Sequence, residues 1–330
     1  MPPLSPDARD PEPHQPRTLE TEQRAPWEKF QGAIRTQRDR FAERQERINE
    51  RSGRNLLFAT IVGLVAAAIG LTCLLVAKEA FVGLVLLVVA FAVYELSSAM
   101  RTVGFTVPRI PSVAIAVAAI PAVYIGGPLW MWIVLAVGTA LLAVWRLISG
   151  PARSVREGAP SADKSVIEDF FAAAFVQLYV TFLATFTVML VAQPRGEWWV
   201  LGFIMPVVAI DTGAWASGIK FGRRKLAPRI SGGKTWEGLA GGALAGITVS
   251  ILVSIYLLEM PWWLGVWIGI ALVFTATMGD LFESMIKRDL GIKDMSDWLP
   301  GHGGLLDRLD SLMPSGAAMF AIHVIVTIGI

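Results

Sequence analysis

Long runs of apolar residues, separated by short polar stretches, make up most of the chain after Arg54. Each run is about the length that an α-helix needs to cross a hydrocarbon core of roughly 30 Å. Nine runs can be marked, at 56–76, 80–96, 110–125, 129–148, 170–192, 198–218, 236–258, 262–279 and 312–329. The second and third are short enough to be re-entrant or buried segments instead. The pattern predicts an all-α, polytopic transmembrane protein with about nine spans.

The residues before these runs have a different pattern. Residues 1–26 are rich in Pro, Glu and Arg and hold no long apolar stretch, which predicts a disordered cytosolic tail and no cleaved leader. Across 27–55, the apolar residues Trp27, Phe30, Ile34, Phe41 and Ile48 recur at helical spacings among many charges. This segment is either an amphipathic juxtamembrane helix on the membrane surface or a solvated helix that leads into the first span.

Composition supports the membrane class. The chain is 54% hydrophobic and only 17% charged, which is too apolar for an ordinary soluble domain, and no nucleic-acid partner is expected. Its one cysteine, Cys73, lies in an apolar run and cannot form an intrachain disulfide or a multi-cysteine metal site. Redox chemistry is therefore disfavoured.

The basic residues test the number of spans, because connections on the cytosolic side of a membrane carry an excess of Lys and Arg. With nine spans and a cytosolic amino terminus, the cytosolic connections hold sixteen: Arg101, Arg109, Arg146, Arg153, Arg156, Lys164, Lys220, Arg223, Arg224, Lys225, Arg229, Lys234, Lys287, Arg288, Lys293 and Arg308. The outer connections hold Lys78 and Arg195. This asymmetry favours the predicted topology, with amino-terminal transmembrane helices over 56–192 and a chemically distinct region over 193–330.

The first concentration of polar residues follows the eighth run, from Gly279 to Ser311. Helical spacing places four of them on one face: Asp280, Glu283, Ser284 and Lys287. The same spacing predicts that Asp307, Asp310 and Ser311 share a face at the start of the ninth helix, beyond a glycine-rich loop that contains His302.

Such a mixture of carboxylates and cations suits a magnesium polyphosphate. Magnesium prefers one or two carboxylates plus phosphate oxygens, and Lys and Arg neutralise the remaining charge. The alternative is that these charges are interfacial anchors and helix caps. Two acidic helical faces joined by a glycine-rich loop favour the binding site over that alternative.

The second concentration runs from Asp211 to Gly238. A carboxylate within an apolar run, such as Asp211, is costly in a membrane and usually faces a polar cavity or a partner. The segment 231–235, Ser-Gly-Gly-Lys-Thr, is not a Walker motif, because the first glycine is misplaced and no strand is predicted before it. It is interpreted as a flexible glycine loop that presents Lys234 and Thr235 before a helix whose amides can bind an anion.

These two regions together resemble the phosphatidate cytidylyltransferase (CDP-diacylglycerol synthase) family. The signature is carried by Ser284, Lys287, Arg288, Lys293, Asp294, Pro300, His302, Gly303, Gly304, Asp307, Arg308 and Asp310. The resemblance covers about the last 120 residues. Two positions depart from the family pattern: Gly232 follows Ser231 where proline is common, and Trp215 stands where tyrosine is usual.

The resemblance implies an enzyme that transfers CMP from CTP to phosphatidic acid, forming CDP-diacylglycerol and pyrophosphate. It implies Mg²⁺ held by Asp280 and Asp307, a second monovalent cation such as K⁺, a homodimer, and a bacterial inner-membrane protein whose site faces the cytosol. The remaining catalytic residues are then Lys287, Arg288, Lys293, Asp294, His302, Arg308 and Asp310. The substrate-binding residues are Asp211, Lys225, Ser231, Lys234, Thr235, Glu237 and Ser284.

Other functions use similar groups. A CTP-dependent lipid kinase, or a cytidylyltransferase that acts on another lipid phosphate, would need the same acids and bases. An ion-coupled transporter with Asp211 as its coupling residue is disfavoured, because the charges cluster at one interface and not at the bilayer centre.

Overall fold

The computed structural model describes residues 56–149, 165–292, 295–296 and 304–329. The described helices are α1 (Leu56–Val76), α2 (Lys78–Thr102), α3 (Arg109–Gly126), α4 (Pro128–Ser149), α5 (Val166–Val176), α6 (Leu183–Val191), α7 (Gly196–Phe221), α8 (Trp236–Tyr256), α9 (Trp262–Asp289) and α10 (Leu312–Ile328). A π-helical segment, Gln177–Phe182, joins α5 to α6, and Leu306–Arg308 forms a 3-10 turn. The predicted tail and juxtamembrane helix, over 1–55, lie outside the described residues.

The predicted membrane class and helical architecture are confirmed. Seven helical segments of the described chain are long and apolar enough to cross a bilayer: α2, α3, α4, the continuous segment Val166–Val191, α7, α8 and α9. The second and third apolar runs, which look short in the sequence, form helices of 25 and 18 residues. The segments Gly63–Val76 and Leu312–Thr327 are apolar but shorter. The total of nine spans and the cytosolic amino terminus stay predictions.

Glycines let α7, α8 and α9 pack closely. A Cβ atom at Gly242 of α8 would lie 2.8 Å from the carbonyl oxygen of Ile210 in α7. A Cβ at Gly265 of α9 would lie 2.5 Å from the Cα of Ile251 in α8. Small residues at helix contacts allow this backbone approach in membranes, where packing replaces the hydrophobic effect. The close packing brings the ends of these three helices, which carry most of the polar residues, to one place.

A buried ion pair joins the amino-terminal helices. Arg146 Nε of α4 lies 2.6 Å from Asp169 Oδ2 of α5, and the Thr106 amide donates to Asp169 Oδ1 at 2.7 Å. The Gln177 side chain donates to the Ser112 carbonyl oxygen at 2.9 Å. Each buried polar group named here thus has a partner, as a low-dielectric interior requires.

One element departs from the all-helical expectation. The strands β1 (Lys225–Ala227) and β2 (Ser231–Thr235) form an antiparallel hairpin between α7 and α8. The prediction of a flexible glycine loop at 231–235 was therefore wrong. Two adjacent glycines give no alternation of apolar and polar side chains, so a strand here leaves no period-two signal in the sequence.

Candidate active site

A cavity of about 570 Å³ lies where α7 ends, α8 begins and α9 approaches its last turns. Its polar wall is formed by Asp211, Lys234, Thr235, Asp280, Glu283, Lys287, Asp307, Arg308, Asp310 and Ser311. The two polar regions of the sequence therefore meet in one cavity. The cavity is large enough for a small-molecule ligand and is lined by both charge signs.

The predicted polar face of α9 lies on this wall. Lys287 Nζ bridges two carboxylates, at 2.8 Å from Glu283 Oε2 and 3.0 Å from Asp307 Oδ1. The Glu283 side chain is only 1% exposed, so Lys287 pairs with an almost fully buried acid and with the acid of a separate segment, and its single charge balances one of the two. Glu283 was placed on this face by its spacing, but the sequence assigned it no role.

A second ion pair connects α9 to the hairpin. Asp280 pairs with Lys234 of β2, and Ser284 Oγ lies 3.5 Å from Asp280 Oδ1. Thr235 accepts a hydrogen bond from the Gly238 amide at 3.0 Å and so caps the amino terminus of α8. The cap and the ion pair fix the position of Lys234 at the cavity.

Backbone amides hold Asp307 in its ionised form. The Gly304 amide donates to Asp307 Oδ2 at 2.9 Å, and the Met295 amide donates to the same oxygen at 3.3 Å. Burial opposes the charge on Asp307, but hydrogen bonds with Glu283 and the Gly304 amide hold the pKa of this carboxyl below its ordinary value. Asp307 is therefore a carboxylate at neutral pH.

Asp310 has the opposite electrostatic environment. Burial, and then the nearby charge of Asp280, raise the pKa of Asp310 to about 7. The segment that carries it packs against α9 at Gly279, where a Cβ atom would lie 2.1 Å from the Asp310 carbonyl oxygen. Only a glycine fits that approach, and it keeps Asp280 beside Asp310.

The acidic residues after the glycine-rich loop do not form a helical face. The last helix, α10, begins at Leu312, and Asp307 lies in the 3-10 turn before it. The prediction that Asp307, Asp310 and Ser311 share a face of the ninth helix was therefore wrong, although all three line the same cavity. A spacing of three residues fits a 3-10 turn as well as an α-helix, so the sequence could not separate the two.

Several predicted site residues lie beside the cavity and not on its wall. Lys225 and Ser231 belong to the hairpin strands, and Arg288 Nε donates to the Ile230 carbonyl oxygen at 3.3 Å. Glu237 accepts hydrogen bonds from the Arg223 and Arg224 amides. The predicted roles of Lys293, Asp294 and His302 concern positions outside the described residues.

One residue near the site was missed by the sequence analysis. Glu95 of α2 is 4% exposed, and its carboxylate accepts hydrogen bonds from the Leu305 and Leu306 amides at 3.0 and 2.8 Å. It also accepts a hydrogen bond from the Ser296 hydroxyl. The available signal was a lone carboxylate in the apolar run 80–96, since intramembrane acids are rare and usually partnered.

Comparisons with known proteins give consistent results. Residues 58–326 match the model of the cytidylyltransferase family. A phosphatidate cytidylyltransferase of Mycobacterium bovis is 35% identical over 285 residues, which cover 82% of this chain and 89% of the relative. The Mycobacterium leprae protein of that name is 35% identical over 80% of this chain and 86% of the relative. The Pseudomonas aeruginosa protein is 47% identical, over 38% of this chain and 47% of the relative.

Proposed function

The chain belongs to the cytidylyltransferase family, and from this premise we propose that its cavity transfers CMP from CTP to phosphatidic acid. The products are CDP-diacylglycerol and pyrophosphate, and the activity belongs to phospholipid synthesis. The observation that carries the assignment to this cavity is the meeting of two distant polar regions, 211–238 and 279–311, around one set of acids and bases.

The reaction needs positioning more than a strong base. The phosphate of phosphatidic acid is a monoester with a second pKa of about 6, so it is largely a dianion at neutral pH and can attack the α-phosphorus of CTP directly. The attack forms the new P–O bond while the bond to pyrophosphate breaks. The main barriers are the repulsion between anions and their alignment, which the cationic residues at the cavity reduce.

The acids of the cavity suit magnesium, although no group of three or more candidate metal ligands occurs in the part of the chain that the structure describes. Magnesium needs only one or two carboxylates when phosphate oxygens and water complete its shell. Asp280 and Asp307 already neutralise a cation each, Lys234 and Lys287. We assign the ion to these two carboxylates, where it would neutralise charge on the phosphates of CTP.

The bases of the cavity are assigned to the phosphates. Lys234, Lys287 and Arg308 line the wall, and their cationic groups can bind the lipid phosphate and stabilise the departing pyrophosphate. Arg288 and Lys293 are assigned the same role from the family resemblance. Asp211, Thr235 and Ser284 are assigned to nucleotide contacts.

The environment of the site follows from the substrates. CTP is cytosolic and phosphatidic acid lies at the headgroup level, so we place the cavity at the cytosolic face of a bacterial inner membrane. The Lys and Arg distribution supports this orientation. A homodimer and a second, monovalent cation such as K⁺ complete the proposal, and both rest on the family resemblance.

Product analysis tests this function. Purified protein in detergent is incubated with labelled CTP, phosphatidic acid and magnesium, with and without a chelator. We expect a CDP-lipid and pyrophosphate, and no turnover with the chelator. Release of CDP with a newly phosphorylated lipid would instead identify a lipid kinase, and turnover unaffected by the chelator would refute the magnesium assignment.

A further inference from the structure

One short backbone turn is held by two carboxylates from different halves of the chain. The Gly304 amide donates to Asp307, whereas the next two amides, those of Leu305 and Leu306, donate to Glu95 of α2. Three successive amides are thus divided between an acid of the cavity and an acid 210 residues earlier. The position of Asp307 is therefore tied to α2.

The two carboxylates approach each other across Gly304. A Cβ atom at this glycine would lie 3.0 Å from Glu95 Oε1 and 3.2 Å from Asp307 Oδ2. A side chain at this position would force its neighbours to shift by a few tenths of an ångström. A shift of the Glu95 carboxylate would consequently change the position of the Asp307 carboxylate.

Glu95 is costly where it lies, which argues against an incidental role. It is almost fully buried in α2, a helix long and apolar enough to span a membrane. A buried carboxylate is destabilising unless hydrogen bonds compensate it, and here two amides and the Ser296 hydroxyl do so. The helix could bury an apolar residue at lower cost if packing alone were needed.

We propose that Glu95 is a positioning residue: its carboxylate fixes the turn at 304–306 and thereby holds Asp307 at the cavity in a cation-binding orientation. The amino-terminal half of the chain then contributes to the site through α2. The inference rests on the proposed function for the role of Asp307, but the contact itself can be tested without any activity.

Hydrogen exchange tests the contact in the purified full chain. We expect Glu95→Gln to speed exchange in peptides that cover 304–309 by about tenfold, because glutamine offers one acceptor oxygen where the Leu305 and Leu306 amides use two. Asp169→Asn is the matched control, since Asp169 is also a buried carboxylate that accepts a backbone amide. The control weakens the pair with Arg146 and so lowers overall stability, but it should leave the local exchange at 304–309 unchanged.

A magnesium titration tests the consequence. We expect the half-saturating magnesium concentration to rise several-fold in Glu95→Gln and further in Glu95→Ala, with the KM for phosphatidic acid nearly unchanged. Asp169→Asn should keep the wild-type value. A purely structural role would lower thermal stability without moving the magnesium requirement of the folded protein.

The two tests separate the possible failures. Unchanged exchange at 304–309 in both Glu95 variants would overturn the proposal, as would a wild-type magnesium requirement in them. If the wild-type protein forms no CDP-lipid, the proposed function fails, and the exchange experiment alone decides whether Glu95 holds the turn. Glu95→Gln retains the side-chain volume, so it is the variant to use if Glu95→Ala does not fold.

Discussion

Two ion pairs of this molecule show how the same chemistry serves different ends. In the pair Arg146–Asp169, between α4 and α5, the side chains are 9% and 1% exposed. In the pair Lys234–Asp280, between β2 and α9, they are 24% and 36% exposed and border the cavity. The first pair is enclosed by packed helices, and the second opens onto a space that a ligand can enter.

The difference in exposure has an energetic meaning. Breaking a buried pair leaves an uncompensated charge that nothing can solvate, so the pair holds its helices together. An exposed pair is worth little to stability, because water compensates either partner. The lysine of such a pair can therefore leave its carboxylate for a phosphate at small cost. The enclosed pair Arg146–Asp169 should serve stability, and the more open pair Lys234–Asp280 should serve ligand binding.

Removing the cation of the enclosed pair should give the largest effect. We expect Arg146→Met to lower the free energy of unfolding by about 3–5 kcal/mol, because Asp169 would lose the charged partner that compensates it. The protein that remains folded should keep most of its specific activity. Unfolding in detergent measures the loss of stability, and initial rates measure the activity. Loss of activity at unchanged stability would contradict the comparison.

Removing an acid of the cavity should have the converse effect. We expect Asp307→Asn to lower CDP-lipid formation by about a hundredfold or more, since a catalytic metal stabilises developing charge by several kcal/mol. The unfolding free energy should change by about 1 kcal/mol or less, because Lys287 keeps its pair with Glu283 and the side-chain amide oxygen can keep the Gly304 hydrogen bond. Near-normal activity in this variant would refute the metal assignment.

The pH dependence of stability should come partly from Asp310. Its pKa, about 7 in the folded chain, lies above the ordinary aspartate value, so the folded state holds this proton more tightly than the unfolded state. Asp310 therefore stabilises the fold fully below about pH 4, and this contribution declines as the pH rises to about 7. Without divalent cations, this group should lower the unfolding free energy by at most about 1.4 kcal/mol for each unit by which the pH rises. Asp310→Asn should flatten the slope between pH 5 and 7, and an unchanged slope would contradict the assignment.

The smallest expected effect concerns the hairpin. Glu237 accepts the Arg223 and Arg224 amides and so anchors the segment that leads into β1. We expect Glu237→Gln to raise the half-saturating CTP concentration about threefold, because a neutral amide oxygen accepts the Arg223 and Arg224 amides more weakly than a carboxylate does. Glu259→Gln is the control, because Glu259 forms an exposed pair with Arg195. That pair joins the connection before α7 to the connection between α8 and α9. Equal effects of the two variants would show that the hairpin anchor does not act on nucleotide binding.

Local periodicity predicted the parts of the site that lie on one helix. Asp280, Glu283 and Lys287 follow the 3.6-residue repeat of α9, and all three line the cavity. Charge spacing alone could not show that Asp307 lies in a 3-10 turn, because two turn types fit the same residues. The hairpin at 225–235 was missed because strand β2 contains two adjacent glycines, which have no side chains to alternate.

A local sequence pattern cannot predict contacts between residues that are far apart in the chain. Glu95 contacts the 304–306 turn across more than 200 residues of sequence, and nothing near position 95 indicates that partner. The ion pair of Arg146 with Asp169 likewise depends on the packing of α4 against α5. Only the cost of a buried charge in an apolar run marks such residues, and that cost does not say which group compensates it.

The central claim is that Asp280 and Asp307 hold one divalent cation in the presence of CTP. Electron paramagnetic resonance of Mn²⁺, titrated into purified protein with CTP, measures this binding directly and needs no turnover. We expect the wild-type protein to bind Mn²⁺ and both Asp280→Asn and Asp307→Asn to weaken the binding by about tenfold or more, while Asp169→Asn binds as the wild type does. Wild-type Mn²⁺ affinity in both cavity variants would contradict the account.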